Sequence, residues 1–194
     1  IKSDDITISY FGSVYPGKGI EKMLRVWKVL KERNICSQFK IIGEVGTEPN
    51  NRFSAYHKQV WQWIEEYKLK DSVVVTGYVS DEIASSEIQY SQIATLFYED
   101  GLTLRRGSFL AYLAHGIPIV TSVGDAEACE IFDGHPGIRM ARNEDEIIDA
   151  IKKYANLSFD ERKMIREDNL SLSRYFEWDS IAKSFLKDYG EINE

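Results

Sequence analysis

The chain has 194 residues, the length of one ordinary domain, and 43% of them are hydrophobic against 28% charged, a balance that buries a real core and excludes a disordered or low-complexity polypeptide. Lysine and arginine number 24 against 31 acidic residues, a formal charge of −7, which argues against an extended nucleic-acid footprint and leaves any anionic ligand to a local pocket. No stretch reads as a transmembrane helix, and Cys36 and Cys129 lack framework spacing, so both are expected as buried, unpaired thiols of a reducing compartment.

The chain starts at Ile1 with neither a methionine nor a signal peptide, so it is expected to be a piece of a longer protein. Residues 6–11, ITISYF, are β-branched and aromatic and run into Gly12, while Gly17, Lys18 and Gly19 precede a helical pattern starting near Ile20. Ile20, Met23, Leu24, Trp27, Val29 and Leu30 give that helix a broad apolar face, and Asn34 is placed to end it. A second strand, residues 39–42, ends at Gly43 and Glu44. A polar loop with Pro49 and two asparagines then leads into a helix over residues 53–67, whose Tyr56, Val60, Trp63, Ile64 and Tyr67 share one side.

Val73–Val75 make a third strand, followed by Gly77, Tyr78 and Val79, and Ser80 stands as the N-cap of a helix that begins with Asp81 and Glu82. Residues 92–98 form the next apolar strand. After a loop carrying Arg105, Arg106, Gly107 and Ser108, the residues Phe109, Leu110, Leu113 and Ala114 fall at helical spacing, with Gly116 at the C-terminal cap and Pro118 beyond it. Strands over residues 117–121 and 137–140 and helices over 145–155, 159–172 and 178–189 complete the chain, with no internal repeat. This alternation predicts an α/β fold: a Rossmann-like, doubly wound parallel sheet of about six strands with helices on both faces and a helical C-terminal segment. Ligands are expected at the carboxyl ends of the strands, where the glycine loops lie.

The loop before the fourth helix places two guanidiniums, a bare glycine backbone and a hydroxyl at a helix N-terminus, which is the chemistry of an anion site. The alternative is that both arginines are simply solvated. Residues 12–18, GSVYPGK, satisfy G-x-x-x-x-G-K, and the run ATLFYED resembles the acidic strand end that holds magnesium. A P-loop needs a Ser or Thr next, and the chain has Gly19. The G-x-G-x-x-G spacing of a dinucleotide site is absent from the first loop. His57, His115 and His135 are far apart and predict structural or surface roles rather than a metal site.

Taken together, FGSVYPGKG, FKIIGE, VVVTGYVSDEI, DGLTLRRGSFLAYLAHGIPIVTS, EIFDGHPG and FEWDSIAKSFLKDY resemble the carboxyl-terminal domain of a GT-B glycosyltransferase, and more narrowly the retaining family 4 group. The resemblance covers nearly the whole chain in order, and RRGSFLAYLAHGIPIVTS is its most specific part. It implies a single domain over residues 1–194 that binds a nucleotide diphosphate sugar, with the acceptor-binding domain lying outside this chain. It implies no cofactor and no metal. The acceptor, a glycan or a lipid-linked glycan, would be held by the other domain, in a cytoplasmic protein or one peripheral to a membrane. No nucleic-acid partner is implied.

Residue by residue, Gly12 and Lys18 match the first glycine loop, whose lysine faces the donor diphosphate, and Ser13 stands where many relatives place an arginine. Arg105, Arg106, Gly107 and Ser108 are implied in the same diphosphate site. Gly77, Tyr78 and Val79 match the loop that meets the nucleobase, although Tyr78 reads equally well as core. The family often has two glutamates eight positions apart, near the donor sugar and the ribose, and counting back from Gly116 those positions hold Thr103 and Ala111. The nearest replacement carboxylates are Glu99 and Asp100, and Glu130 is another candidate that also reads as a helix-surface charge. The final helices, about residues 158–190, are expected to pack on this domain or cross toward the absent one, with Phe176, Trp178, Ile181, Phe185, Leu186 and Tyr189 as the apolar set. Two other functions stay open on the residues: a non-catalytic nucleotide-binding module, and a P-loop-like NTPase.

Overall fold

The computed structural model of the chain describes residues 6–177 together with 179 and 180. Its strands are β1 (Thr7–Phe11), β2 (Gln38–Ile42), β3 (Val73–Val75), β4 (Ile93–Leu96), β5 (Ile119–Ser122) and β6 (Ile138–Ala141). Between and after them come α1 (Ile20–Glu32), α2 (Ser54–Glu66), α3 (Asp81–Gln89), α4 (Gly107–Ala114), α5 (Ala126–Phe132), α6 (Glu144–Ala155) and α7 (Phe159–Ser173), with a 3-10 turn at Arg174–Phe176. All strand pairs are parallel, in the order β3-β2-β1-β4-β5-β6. This is the doubly wound order, in which the chain turns one way from β1 and the other way from β4, and the expected fold class holds.

The sheet is apolar because helices cover both of its faces. All four residues of β4 are buried, and Ile8, Tyr10, Phe39, Ile41 and Ile119 join Trp27, Phe109 and Tyr112 in one core. Helix α1 buries Val26, while Val29 is only half-buried, so the apolar face lies slightly off the one read from the sequence. Asn34 does leave the helix in a left-handed conformation, φ 51°, and Ser80 caps α3 by accepting from the Ile83 amide.

Two strands are shorter than their apolar runs suggest. Residues 97 and 98 leave the ladder after β4, and the Tyr98 amide bonds the Ser122 hydroxyl instead, at 3.2 Å. Strand β5 begins after Pro118, whose carbonyl still accepts from Ala94 at 2.8 Å although its nitrogen has no hydrogen to donate. Helix α5 has no bounds in the sequence, which offers only the alternative that Glu130 is a helix-surface charge. It spans seven residues, too few to show a period, and its local signal is the Asp125 side chain accepting from the Ala128 amide at 2.8 Å.

Helix α7 starts on a capping box formed by Ser158 and Glu161 and packs on this domain. Asn169, fully buried, donates to the Ile117 carbonyl at 2.8 Å, and Arg166 donates to the His115 carbonyl at 2.9 Å. Phe176 packs on Phe132 in a tilted arrangement, with ring centres 5.8 Å apart. Trp178 and residues 181–194, which carry the rest of the expected apolar set, lie outside the described residues.

Candidate functional site

The carboxyl ends of β1 and β4 sit side by side at the point where the strand order reverses, and the loops leaving them touch through their backbones. Gly19 precedes α1 at φ 65°, and a Cβ there would stand 2.0 Å from the Phe97 carbonyl oxygen. No side chain fits, which is the physical reason that Gly19 replaces the Ser or Thr of a P-loop. The Glu99 amide bonds the Gly17 carbonyl at 3.0 Å and closes the same junction. On the other side, a Cβ on Gly43 would lie 2.3 Å from the Gly12 carbonyl oxygen, so the end of β2 is pressed against the first glycine loop.

Aromatic rings and cations alternate along this edge. The Lys18 ammonium lies between two rings, 4.7 Å from the centre of Tyr15 and 5.1 Å from that of Tyr98. Tyr15 stacks on Phe53 at 5.3 Å, Arg52 lies 5.3 Å over the Phe53 ring, and Arg106 lies 4.4 Å over Tyr98. Ring quadrupoles hold these cations without neutralising them. Lys18 forms no ion pair among the described residues.

The two arginines of the second loop part company. Arg106 turns inward and donates through Nη2 to the Asp100 carboxylate and to the Gly101 carbonyl at 3.3 Å, while its buried Nε has no partner among the described residues. The hydrogen bond from Arg106 holds the Asp100 carboxyl below the usual carboxylate range. Arg105 is exposed and joins no other described residue through a hydrogen bond or ion pair. Gly107 opens α4, no side chain caps that helix, and its first amides have no partner inside it. Ser108 is fixed beside them by a 2.7 Å bond to the Tyr98 hydroxyl. Burial pushes the Tyr98 phenol up to about 12, so it stays protonated at neutral pH.

A cavity of about 410 Å³ runs from Gly12 and Ser13 past Glu44 to Gly77, Tyr78 and Val79, across the ends of β1, β2 and β3. Tyr78 is 90% exposed, so it is not a core residue; it stands at the mouth of this cavity. His57 is buried beneath it, its ring nitrogens 2.6 Å from the Gly46 carbonyl oxygen and 2.7 Å from that of Val14, and it ties the first loop to the loop after β2. A larger hollow of about 560 Å³ lies among Lys28, Lys31 and Lys68 at the other end of α1, away from every glycine loop.

The remaining candidates are scattered. Thr103 only accepts from the Arg106 amide at 3.2 Å, and Ala111 offers its carbonyl to His115 at 2.7 Å. Glu99 is exposed beside the junction, whereas Glu130 is exposed on α5 and has no bond to the site. No group of three or more His, Cys, Asp or Glu among the described residues is placed to hold a metal ion. Nor is any described helix long and apolar enough to cross a membrane. Sequence reasoning did not single out Tyr15 and Arg52, which lie in loops, and took Phe53 only as the start of a helix.

Residues 5–156 match the family model described as "Glycosyl transferases group 1". No curated protein sequence matches the chain. Among solved structures, sucrose-phosphate synthase from Thermosynechococcus elongatus is 16% identical with a TM-score of 0.76, over 99% of this chain and 46% of that one. Anabaena HepE in complex with UDP and glucose is 14% identical with a TM-score of 0.72, over 97% of this chain and 49% of that one. The C-terminal domain of a glycosyl transferase group 1 family protein from Francisella tularensis is 18% identical with a TM-score of 0.66, over 86% of this chain and 83% of that domain. The chain thus shares their fold and spans about half the length of the first two.

Proposed function

This chain belongs to the group 1 glycosyl transferases, and from that premise we propose that it binds the nucleotide diphosphate sugar donor of a GT-B enzyme that passes the sugar to a glycan or lipid-linked acceptor. The observation that carries the reading is the Lys18 ammonium, held unpaired between Tyr15 and Tyr98 beside the uncapped start of α4. When the bond from the sugar to the diphosphate breaks, negative charge develops on the departing phosphate oxygens. Lys18, the amides at Gly107 and Ser108, and Arg105 meet that charge, and donors already in position stabilise it without reorganising at the moment of reaction. Arg106 acts at one remove, because its charge is shared with Asp100, and it shapes the loop from which those amides project.

The nucleobase belongs at Gly77, Tyr78 and Val79, where the exposed Tyr78 ring offers a stacking face. We take the transfer to be retaining, as in family 4, with Glu99, whose amide bonds the Gly17 carbonyl of the first glycine loop, as the candidate carboxylate that is not bonded to Arg106. The protein acts in glycan synthesis on the cytoplasmic side, with the acceptor held by a second domain, and residues 1–194 alone are expected to transfer no sugar. The lack of a carboxylate at Thr103 and Ala111 favours one rival, a nucleotide-binding module without transfer activity; donor hydrolysis by a two-domain parent would exclude it.

The test is a titration of the chain with UDP, ADP and GDP in EDTA, alongside the corresponding nucleosides. At least one diphosphate should bind without a divalent ion, and a hundredfold excess over its dissociation constant should stabilise the chain by about 2.7 kcal/mol. Lys18→Ala should weaken that diphosphate by tenfold or more, roughly the worth of one charge-assisted contact, and leave the nucleoside unchanged. No binding by any diphosphate at millimolar concentration would sink the donor-site reading.

A further inference from the structure

Resting on that donor reading, we propose that Glu44 receives the ribose hydroxyls of the nucleotide, which makes this a site for ribonucleotides with a free 2′,3′-diol. The argument starts from strand order. In the sequence β3-β2-β1, the end of β1 carries the phosphate-side residue Gly12 and the end of β3 carries the base-side residues Gly77–Val79. A nucleotide laid across that edge places its ribose over the end of β2. Glu44 is the second residue beyond β2 and lines the same cavity as both of the others.

A carboxylate on a loop is useful only if the loop is held, and this one is held on both sides of Glu44. Its neighbour Gly43 donates its amide to the Thr76 hydroxyl at 3.2 Å and packs against the Gly12 carbonyl with no room for a side chain. Val45 accepts from the Trp61 indole at 3.0 Å, and Gly46 is bonded to His57 at 2.6 Å. Asn51 donates to Oε1 of Glu44 at 3.3 Å and orients the carboxylate, leaving Oε2 without a partner among the described residues. An ionised carboxylate only accepts, and a vicinal diol offers it two donors, so the pair is chemically complementary. Dinucleotide-binding sheets of this strand order hold ribose through an acidic side chain in the same way.

The need for such a group is visible in α4. Ala111 has no functional side chain, so no ribose contact comes from that position. Asp81, the other acidic residue lining the cavity, opens α3 on the base side of Tyr78 and is displaced from the end of β2.

Calorimetric titration of UDP, ADP and GDP, each against its 2′-deoxy counterpart, tests the assignment. The chain should prefer the ribose form by about tenfold or more, the worth of one hydrogen bond to a charged group. Glu44→Gln should bring that ratio close to one while leaving the affinity for inorganic pyrophosphate unchanged, and Asp81→Asn should leave the ratio as it was. An unaltered ratio in E44Q, a collapse in D81N instead, or no preference in the parent chain would overturn the assignment while the donor site stands. Failure of every diphosphate to bind would overturn both.

Discussion

Gly19 shows how one residue decides between two chemistries. Its neighbours complete G-x-x-x-x-G-K, and replacing it with serine would complete the P-loop consensus on paper. The same replacement puts a Cβ 2.0 Å from the Phe97 carbonyl at a left-handed φ of 65°, where an L side chain is already strained. Gly19→Ser is therefore expected to destabilise the chain by more than about 2 kcal/mol, as strain and overpacking combine, and to yield no magnesium-dependent ATP hydrolysis. Urea unfolding and a phosphate-release assay read both outcomes. A variant as stable as its parent would mean that the two loops do not meet as described.

Among the α-helices, α7 is the one that buries the smallest share of its residues. Only Ile165 and Asn169 are buried along its fifteen residues, and Asn169 bonds the carbonyl of Ile117 just ahead of β5. The other end of the same side chain, Oδ1, has no partner among the described residues and crowds Gly137 just ahead of β6. Asn169→Ala leaves the Ile117 carbonyl buried and unpaired, which costs about 1–3 kcal/mol. The urea midpoint should fall with the slope of the transition unchanged, since the surface exposed on unfolding stays the same. An unmoved midpoint would show that α7 is held by other contacts.

At the scale of the whole molecule, burial of neutral hydroxyl and thiol groups sets the alkaline limit of stability. Burial pushes the Cys36 thiol from 9.0 up to about 12 and the Tyr98 phenol from 10.0 up to about 12, and it raises Tyr10, Tyr112 and Tyr154 further. The unfolded chain releases these protons first, so above about pH 9 it binds fewer than the native state and stability falls as pH rises. The stabilising contribution is fully present below the unfolded values and is lost progressively toward about pH 12. Urea midpoints should be lower at about pH 11 than at about pH 8, and a rising or level midpoint over that interval would contradict the burial of these groups.

What the sequence determined by itself was whatever a short window encodes. The alternation of apolar runs with glycine loops gave the parallel sheet; Ser80, Asn34 and Gly116 marked helix ends; Lys18 and the RRGS loop stood out as the cations beside glycine loops. Each of these signals is local, because caps, turns and periodicities act within a few residues. The bounds of helix α5 escaped because seven residues show too little of a period. Only the tertiary structure decided how the loops meet. Lys18 lies between Tyr15 and a Tyr98 eighty residues further on, Arg106 is absorbed by Asp100, and Glu44 lines one cavity with Gly12 and Tyr78 because β2 lies between β1 and β3. Strand order comes from burying both faces of the sheet at once, a sum over the whole chain, and no window of sequence contains it.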